Sequence, residues 1–456
     1  MRIRLRVIPS AAVFGLAAAS AVVGVTVGTG PSFAASPTMG GHGQILYVSN
    51  TFGGGVADPT LSGAGIAGAW EPPSAAGVQG CASAPYTTIS AAVAAAAAGD
   101  TIVVCPGVYD EDVVVPVGEP LTIEGIGNPV IDAYDSATNT SLNNGVQVLA
   151  SGTTVEGLTV SYATGEGILV GGLPGASGTI SDVTVRGNTV TDNDRGNPTG
   201  AVISGFSYAE CNATLAPPAP PDPGDCGEGI HLISADNSTV EDNNVSGNSG
   251  GIFLTDENGP ADGNLIASND VSANAYDCGI TVAGHHLGTT TNGTTWSTVL
   301  PTVGGVFNNT VRGNESTNNG VLGQGGGVLL ATGVPGGAVY DNLVEDNFIS
   351  GNGLAGVTVH SHSPGENLSG NTIRFNTIGT NNLDGDFDFG NNVPTAIDPL
   401  TTGVIVANAT GNNPISITIE NNRLENNHYG IWTTPLVTGT FAPNIFVGVT
   451  TDTYAP

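Results

Sequence analysis

The chain has 456 residues with 39 acidic side chains against 8 basic ones, all arginine, and a formal net charge of −31. So little positive charge cannot replace counterions along a phosphate backbone, which excludes a nucleic-acid binder. A hydrophobic fraction of 39% supplies a core in spite of 69 Gly and 28 Pro, so disorder and collagen are poor readings, and abundant Gly, Asn, Thr, Ser and Val describe short strands joined by tight turns.

Residues 1–34 read as an export signal. Arg2, Arg4 and Arg6 precede an apolar run from Ala11 to Val27, followed by Ser32-Phe33-Ala34, a small-x-small cleavage signature. Gly15, Ser20 and Gly24 interrupt the run, which favours a cleaved signal over a membrane anchor. Losing those three arginines takes the charge from −31 to −34. The mature chain is expected to be secreted, monomeric and without a membrane span. In an oxidising compartment the cysteines suggest two local disulfides, Cys81 with Cys105 and Cys211 with Cys226, the second across a proline-rich run. Cys278 is left over, and a buried thiol is its expected state.

Residues 35–120 read as an N-terminal cap with the first coils. One stretch has helical character, Thr88 through Ala98, ended by Gly99. A short helix there would cover the open edge that a solenoid presents at its first strand.

Residues 121–456 carry the repeat. The phrase Asn, any residue, a branched aliphatic, two residues, Asn recurs as Asn188 to Asn193, Asn269 to Asn274, Asn309 to Asn314, Asn347 to Asn352 and Asn422 to Asn427. Asn tolerates the left-handed conformation of a tight bend, and stacked Asn side chains can bond from turn to turn. A second phrase, Gly followed by an aliphatic alternation, recurs as Gly229-Ile230-His231-Leu232, Gly251-Ile252-Phe253-Leu254, Gly279-Ile280-Thr281-Val282, Gly327-Val328-Leu329-Leu330 and Gly356-Val357-Thr358-Val359, and again from Gly403 and Gly430. Strands of period two at one phase predict an all-β solenoid of roughly ten or more coils sharing one core.

Leu46-Tyr47-Val48-Ser49, the Ala-rich helix, Gly99-Asp100-Thr101-Ile102-Val103-Val104 and Pro106-Gly107-Val108-Tyr109-Asp110-Glu111 resemble the N-terminal module of secreted right-handed parallel β-helix proteins of the pectin-lyase-like superfamily. The Asn and Gly phrases resemble that superfamily's repeats, including those of the periplasmic accessory proteins of nitrous-oxide reductase maturation. The resemblance implies a right-handed parallel β-helix with a short N-terminal capping helix. It implies no single activity, because the superfamily includes lyases, hydrolases, esterases, epimerases and adhesins. Gly107-x-Tyr109-x-Glu111 and Asp386-Phe387-Asp388-Phe389-Gly390 echo pectin methylesterases, but that family's other blocks are absent. A chain without Lys cannot supply the Arg-x-Lys pair of polygalacturonases. Arg186, Arg195, Arg312 and Arg374 are the midchain basic candidates for a lyase.

Aligning the aliphatic phrases as one sheet gives an outward row of Leu169, His231, Phe253, Thr281, Leu329, Thr358, Ile405 and Trp432, with adjacent coils about 4.8 Å apart. Beyond these strands stand Asp236, then Asp256 with Glu257, then His285 with His286, and two turns on His360 with His362. As a site, this edge offers paired carboxylates and imidazoles for acid–base catalysis; the competing reading is that solvated turns simply contain such residues. A third reading is a metal site made of His285, His286, His360 and His362. Asp384, Asp386 and Asp388 form an oxygen-rich loop that could hold calcium or merely be solvated. His231, Trp296 and Trp432, with Tyr276 and Tyr429, are candidate sugar contacts, and inserted loops near residues 205–227, 284–303 and 381–402 are expected to wall a groove. The leading expectation is a secreted polysaccharide-acting protein working by Asp/Glu and His chemistry, with a polysaccharide or cell-surface glycan as partner, calcium as the one cofactor considered and no organic cofactor. The alternatives are a non-catalytic glycan-binding solenoid and a metal-handling accessory protein.

Overall fold

A computed structural model describes residues 43–50, 80–133, 144–172, 178–193, 228–293, 295–322, 325–383, 400–408 and 413–455. The signal, Cys211, Cys226, Asp384, Asp386 and Asp388 lie outside the described residues. Among the described residues no helix is long and apolar enough to cross a membrane.

Three long sheets run along the solenoid, and each coil contributes one strand to each. The first sheet has 12 strands, from Ile45–Val48 to Val437–Thr440; the second has 11, from Val108–Asp110 to Ile445–Val447; the third has 11, from Val113–Val115 to Thr451–Tyr454. Every neighbouring pair in these sheets is parallel, with the expected register. In the third sheet Ile230, Ile252, Ile280, Val328 and Val357 follow one another coil by coil and continue to Val404 and Ile431. All seven are buried in one continuous core.

Two features were not anticipated. A fourth sheet of five two-residue strands, from Ile180–Ser181 to Val339–Tyr340, forms at the corner after the third. Within the anticipated insertion at 284–303, Thr289–Thr290 and Trp296–Ser297 pair antiparallel. The turn chemistry of this hairpin is local: Asn292 Oδ1 accepts from the Thr295 amide at 3.0 Å.

The cap follows expectation. The helix spans Ile89–Ala95, shorter than the sequence suggested, with Thr88 as N-cap and Ile89, Ala92 and Val93 facing the core. Cys81 and Cys105 form a disulfide, and Cys278 is a buried free thiol. The Gly107-x-Tyr109-x-Glu111 motif is architectural. Glu111 accepts from the helix's Ile89 and Ser90 amides at 2.6 and 2.9 Å, and Tyr109 donates its hydroxyl to the Cys105 carbonyl at 2.8 Å. A carboxylate at the first helical amides satisfies donors that have no partner within the helix.

The Asn phrase resolves into three ladders. One runs through Asn188, Asn243, Asn269, Asn314, Asn347, Asn376, Asn422 and Asn444, each Nδ2 donating to the next Oδ1. A second climbs from Asn193 to Asn381, and a third joins Asn264, Asn309, Asn342 and Asn371. The copy Asn309 to Asn314 is therefore out of phase with the other copies, because Asn recurs at successive corners of one coil. The left-handed backbone also falls elsewhere than expected: φ is positive at Asp242, Ser268, Asn318 and Asp346, each immediately before a ladder Asn. The bend turns at that residue, and the following Asn uses its amide to bridge coils. The Gly phrase meets the same ladders, since a Cβ at Gly229 would lie 2.3 Å from Val245 Cγ1 and 2.8 Å from Asn248 Nδ2.

Asn314 makes four such bonds: its Oδ1 accepts from Asn269 N and Nδ2, and its Nδ2 donates to the Ile266 carbonyl and Asn347 Oδ1. Asn314→Ala strands buried groups on both adjacent coils, each worth about 1–3 kcal/mol. Denaturant titration should show a loss of at least that size; an unchanged midpoint would mean that main-chain pairing alone sets the coil.

Candidate functional site

The outward row of the third sheet is in the expected register from Leu169 to Trp432. It is covered rather than open. His231, Phe253, Thr358, Ile405 and Trp432 are all buried, so the row is not the floor of a shallow groove. Polar side chains placed there must find partners inside the protein.

They do so as a chain of five. Glu166 Oε1 lies 3.0 Å from His231 Nδ1, and His231 Nε2 lies 3.0 Å from Thr255 Oγ1. Thr255 donates its hydroxyl to Glu257 Oε2, and Glu257 Oε1 meets His285 Nδ1 at 2.6 Å. His231 stacks on Phe253 with centroids 4.6 Å apart, and His285 meets the same ring edge-on at 5.5 Å. Burial opposes the Glu257 charge, yet the His285 imidazole with its hydrogen bond, His231 and Thr255 together hold this carboxyl down at about 2. An ionised Glu257 can only accept, so the single Thr255 proton points to it. His231 Nε2 must therefore be the donor toward Thr255.

Two families match this chain: the one described as right handed beta helix region, over residues 136–299, and the one described as periplasmic copper-binding protein (NosD), over residues 281–455. The chain folds as a right-handed parallel β-helix. Solved structures of similar fold include an alginate lyase from Paenibacillus sp. str. FPU-7, with 11% identity, a TM-score of 0.38 and coverage of 79% of this chain and 95% of that one. The A-module of Azotobacter vinelandii mannuronan C-5 epimerase AlgE4 has 17% identity, a TM-score of 0.41 and coverage of 81% and 93%. The GH136 lacto-N-biosidase from Eubacterium ramulus has 13% identity, a TM-score of 0.45 and coverage of 91% and 68%. No curated protein sequence matches this one.

On this β-helix the anticipated site residues divide into rim and interior. Glu257 and His285 form the pair at the rim, and His286 packs over the turn at Gly304. Asp256 is 0% exposed and takes three backbone amides, from His285 at 2.6 Å, His286 at 3.0 Å and Gly305. Burial outweighs those bonds and raises its pKa. Its geometry is that of a brace between two turns. Asp236 does not join Asp256: the left-handed bend at Ser234 carries it onto the fourth sheet, where it pairs with Asp262.

The four histidines do not converge as a metal site. His360 aligns with Ala283 two coils away, through Ala331, and its partner is His362, with ring centroids 4.2 Å apart. Among the described residues the His, Cys, Asp and Glu side chains that converge as a possible ligand set are Glu166, Glu228 and His231. Trp296 sits in the hairpin, its backbone and Cβ close to Gly365. Trp432 is no open sugar platform, because it is buried with Ala355, Ile405, Ala407 and Tyr429.

Glu166, Glu228 and Thr255 were missed by the sequence reading. The signal was present in Glu166-Gly167-Ile168 and Glu228-Gly229-Ile230, two copies of the aliphatic phrase that carry the same acid before Gly.

A carboxyl depressed in the folded state stabilises above its unfolded value and loses that contribution as pH falls through the folded one. For Glu257 this window runs from 4.5 down to about 2. Thermal melts should therefore lose stability less steeply across it in Glu257→Gln than in the parent; parallel curves would show that the pair contributes nothing.

Proposed function

We propose that the protein acts on an uncharged polysaccharide, with His285 moving the proton and Glu257 positioning it. One observation carries this reading: the Glu257–His285 pair joins a sealed carboxylate, its side chain 9% exposed, to an imidazole that is 25% exposed at the coil's edge. The carboxylate holds the proton on Nδ1, so exchange with substrate would run through Nε2. An imidazolium so held can protonate a glycosidic oxygen, and the neutral form left behind can take a proton from water.

The charge of −31 favours a neutral glycan, since a polyuronate would be repelled unless cations bridged the two. Among the described residues no arginine supports proton abstraction at this rim, and Arg195 lies outside them. Arg186, Arg312 and Arg374 lie on the first sheet and Arg423 on the second, whereas His285 follows the third. The reading places the chain in the same broad class as the glycan-acting proteins named above, but its warrant is the pair itself.

A screen of neutral and acidic polysaccharides, with and without calcium, tests the proposal, and the calcium arm also tests Asp384, Asp386 and Asp388. His285→Ala should cut kcat by about 10²–10⁴-fold while retention on immobilised glycan is unchanged. No turnover by the parent on any glycan, or equal loss of turnover and retention, would favour a glycan-binding solenoid without catalysis.

A second reading, metal handling, is favoured by the His360–His362 contact within the stretch that matches the copper-binding family. Burial, with His362 beside it, holds the His360 pKa well below the ordinary value, and the neutral imidazole is the ligand form. Copper found in the purified protein and lost in His362→Ala would support it.

A further inference from the structure

We propose that Glu166, Glu228 and His231 bind a divalent transition-metal ion, with zinc fitting the donor set best. One ligand atom from each of the three lies within 4.8 Å of the others. The cluster is built by the coil register. Gly167 donates its amide to the Glu228 carbonyl at 3.0 Å and Ile168 pairs with Ile230, so the two glutamates occupy the same station on adjacent coils. Glu228 pairs with Gly250 on the next coil, and its side chain lies over that glycine, where a Cβ would stand 3.1 Å from Glu228 Cγ and 3.3 Å from Asp277 Cβ. His231 is held from behind by Thr255 and from the side by Phe253.

Three further observations call for a cation. Glu166 is 8% exposed, Glu228 2% and His231 1%, and Glu166 Oε2 is buried without a hydrogen-bond partner. Two carboxylates stacked this close inside a protein are not stable as a pair of anions without compensating positive charge. Finally, Thr255 gives its proton to Glu257, which commits His231 Nε2 to donating. In the neutral imidazole that tautomer turns the Nδ1 lone pair toward Glu166 Oε1 at 3.0 Å, so without a cation the ring must carry a second proton and donate from both nitrogens. A metal ion would take the place of that proton: a dication balances two carboxylates where one imidazolium balances one, and Nδ1 becomes a ligand whose ring is oriented by the Nε2–H bond, a common outer-shell arrangement.

The donor set selects the ion. Calcium takes oxygen ligands, whereas one donor here is an imidazole nitrogen; copper(I) favours thiolate and thioether, and none is in the set. Zinc accepts His nitrogen with carboxylate oxygen and is commonly held by three side chains with a fourth position open. The cluster lies outside the stretch that matches the copper-binding family and does not include His285, so this proposal stands independently of the glycan reading.

The test uses the mature protein stripped with chelator and equilibrated with zinc chloride, with bound metal measured by elemental analysis. One zinc per chain is expected, with affinity falling on acidification as protons compete for the ligands. Glu228→Gln and His231→Gln should each weaken binding at least tenfold, and Thr255→Val by about 10–100-fold. His285→Ala and His362→Ala should leave the zinc content unchanged, which separates this site from both readings above. Should a ligand variant fail to fold, zinc-soaked crystals of the parent must show an anomalous peak about 2.0–2.2 Å from donor atoms of all three side chains. Zinc content undiminished in the folded variants, a peak only at other residues, or no bound zinc would overturn the proposal.

Discussion

Everything in this structure depends on stacking successive coils without leaving the amides of their bends unpaired. Each coil turns three or four corners, and a buried corner exposes main-chain donors that strand pairing does not reach. The ladder asparagines meet that demand from both sides. Asn314, for example, accepts from the backbone and side chain of Asn269 and donates to the Ile266 carbonyl and Asn347. Because each rung needs its neighbour in the same place, the ladder fixes register as well as satisfying amides. Its left-handed partner residue, such as Asp346 before Asn347, makes the bend that brings the amide inward.

Fixed register is what turns distant sequence into local chemistry. Glu166 and His231 are neighbours because Ile168 pairs with Ile230, and Thr255 meets His231 because Ile252 pairs with Ile230 in turn. The third sheet differs from the others in placing polar residues on a covered outer face. There the energetic constraint tightens, since a buried carboxylate without charge compensation costs several kcal/mol. The row from Glu166 to His285 meets it with alternating acid, imidazole and hydroxyl. The two ends of that row differ in solvent access, with the glutamates sealed and His285 partly open. This division separates a place suited to holding a cation from a place suited to exchanging protons.

The repeat, the all-β class, the interior file through Ile230, Ile252 and Ile280, the helix near Thr88 and the Cys81–Cys105 pairing were legible because each depends on near-neighbour chemistry or on a period of two. The Glu257–His285 pair was legible in part, since both residues follow consecutive aliphatic phrases. The phrase from Asn309 was placed in the wrong phase for the same reason: a five-residue spacing repeats within a coil as well as between coils. The bend at Ser234, which takes Asp236 away from Asp256, leaves no mark in the alternation of the strand before it.

The amino-acid sequence by itself determined that the chain coils, which residues fill its interior and which side of the third sheet carries His and acid. Only the tertiary structure decided that this side is covered, that Asp256 is a brace, that Trp432 is packed away and that Glu166 and Glu228 converge on His231. The physical reason is that alternation specifies in or out relative to a strand, whereas burial and pairing depend on what neighbouring coils place opposite it. That second quantity is set by register across tens of residues, and no local pattern encodes it.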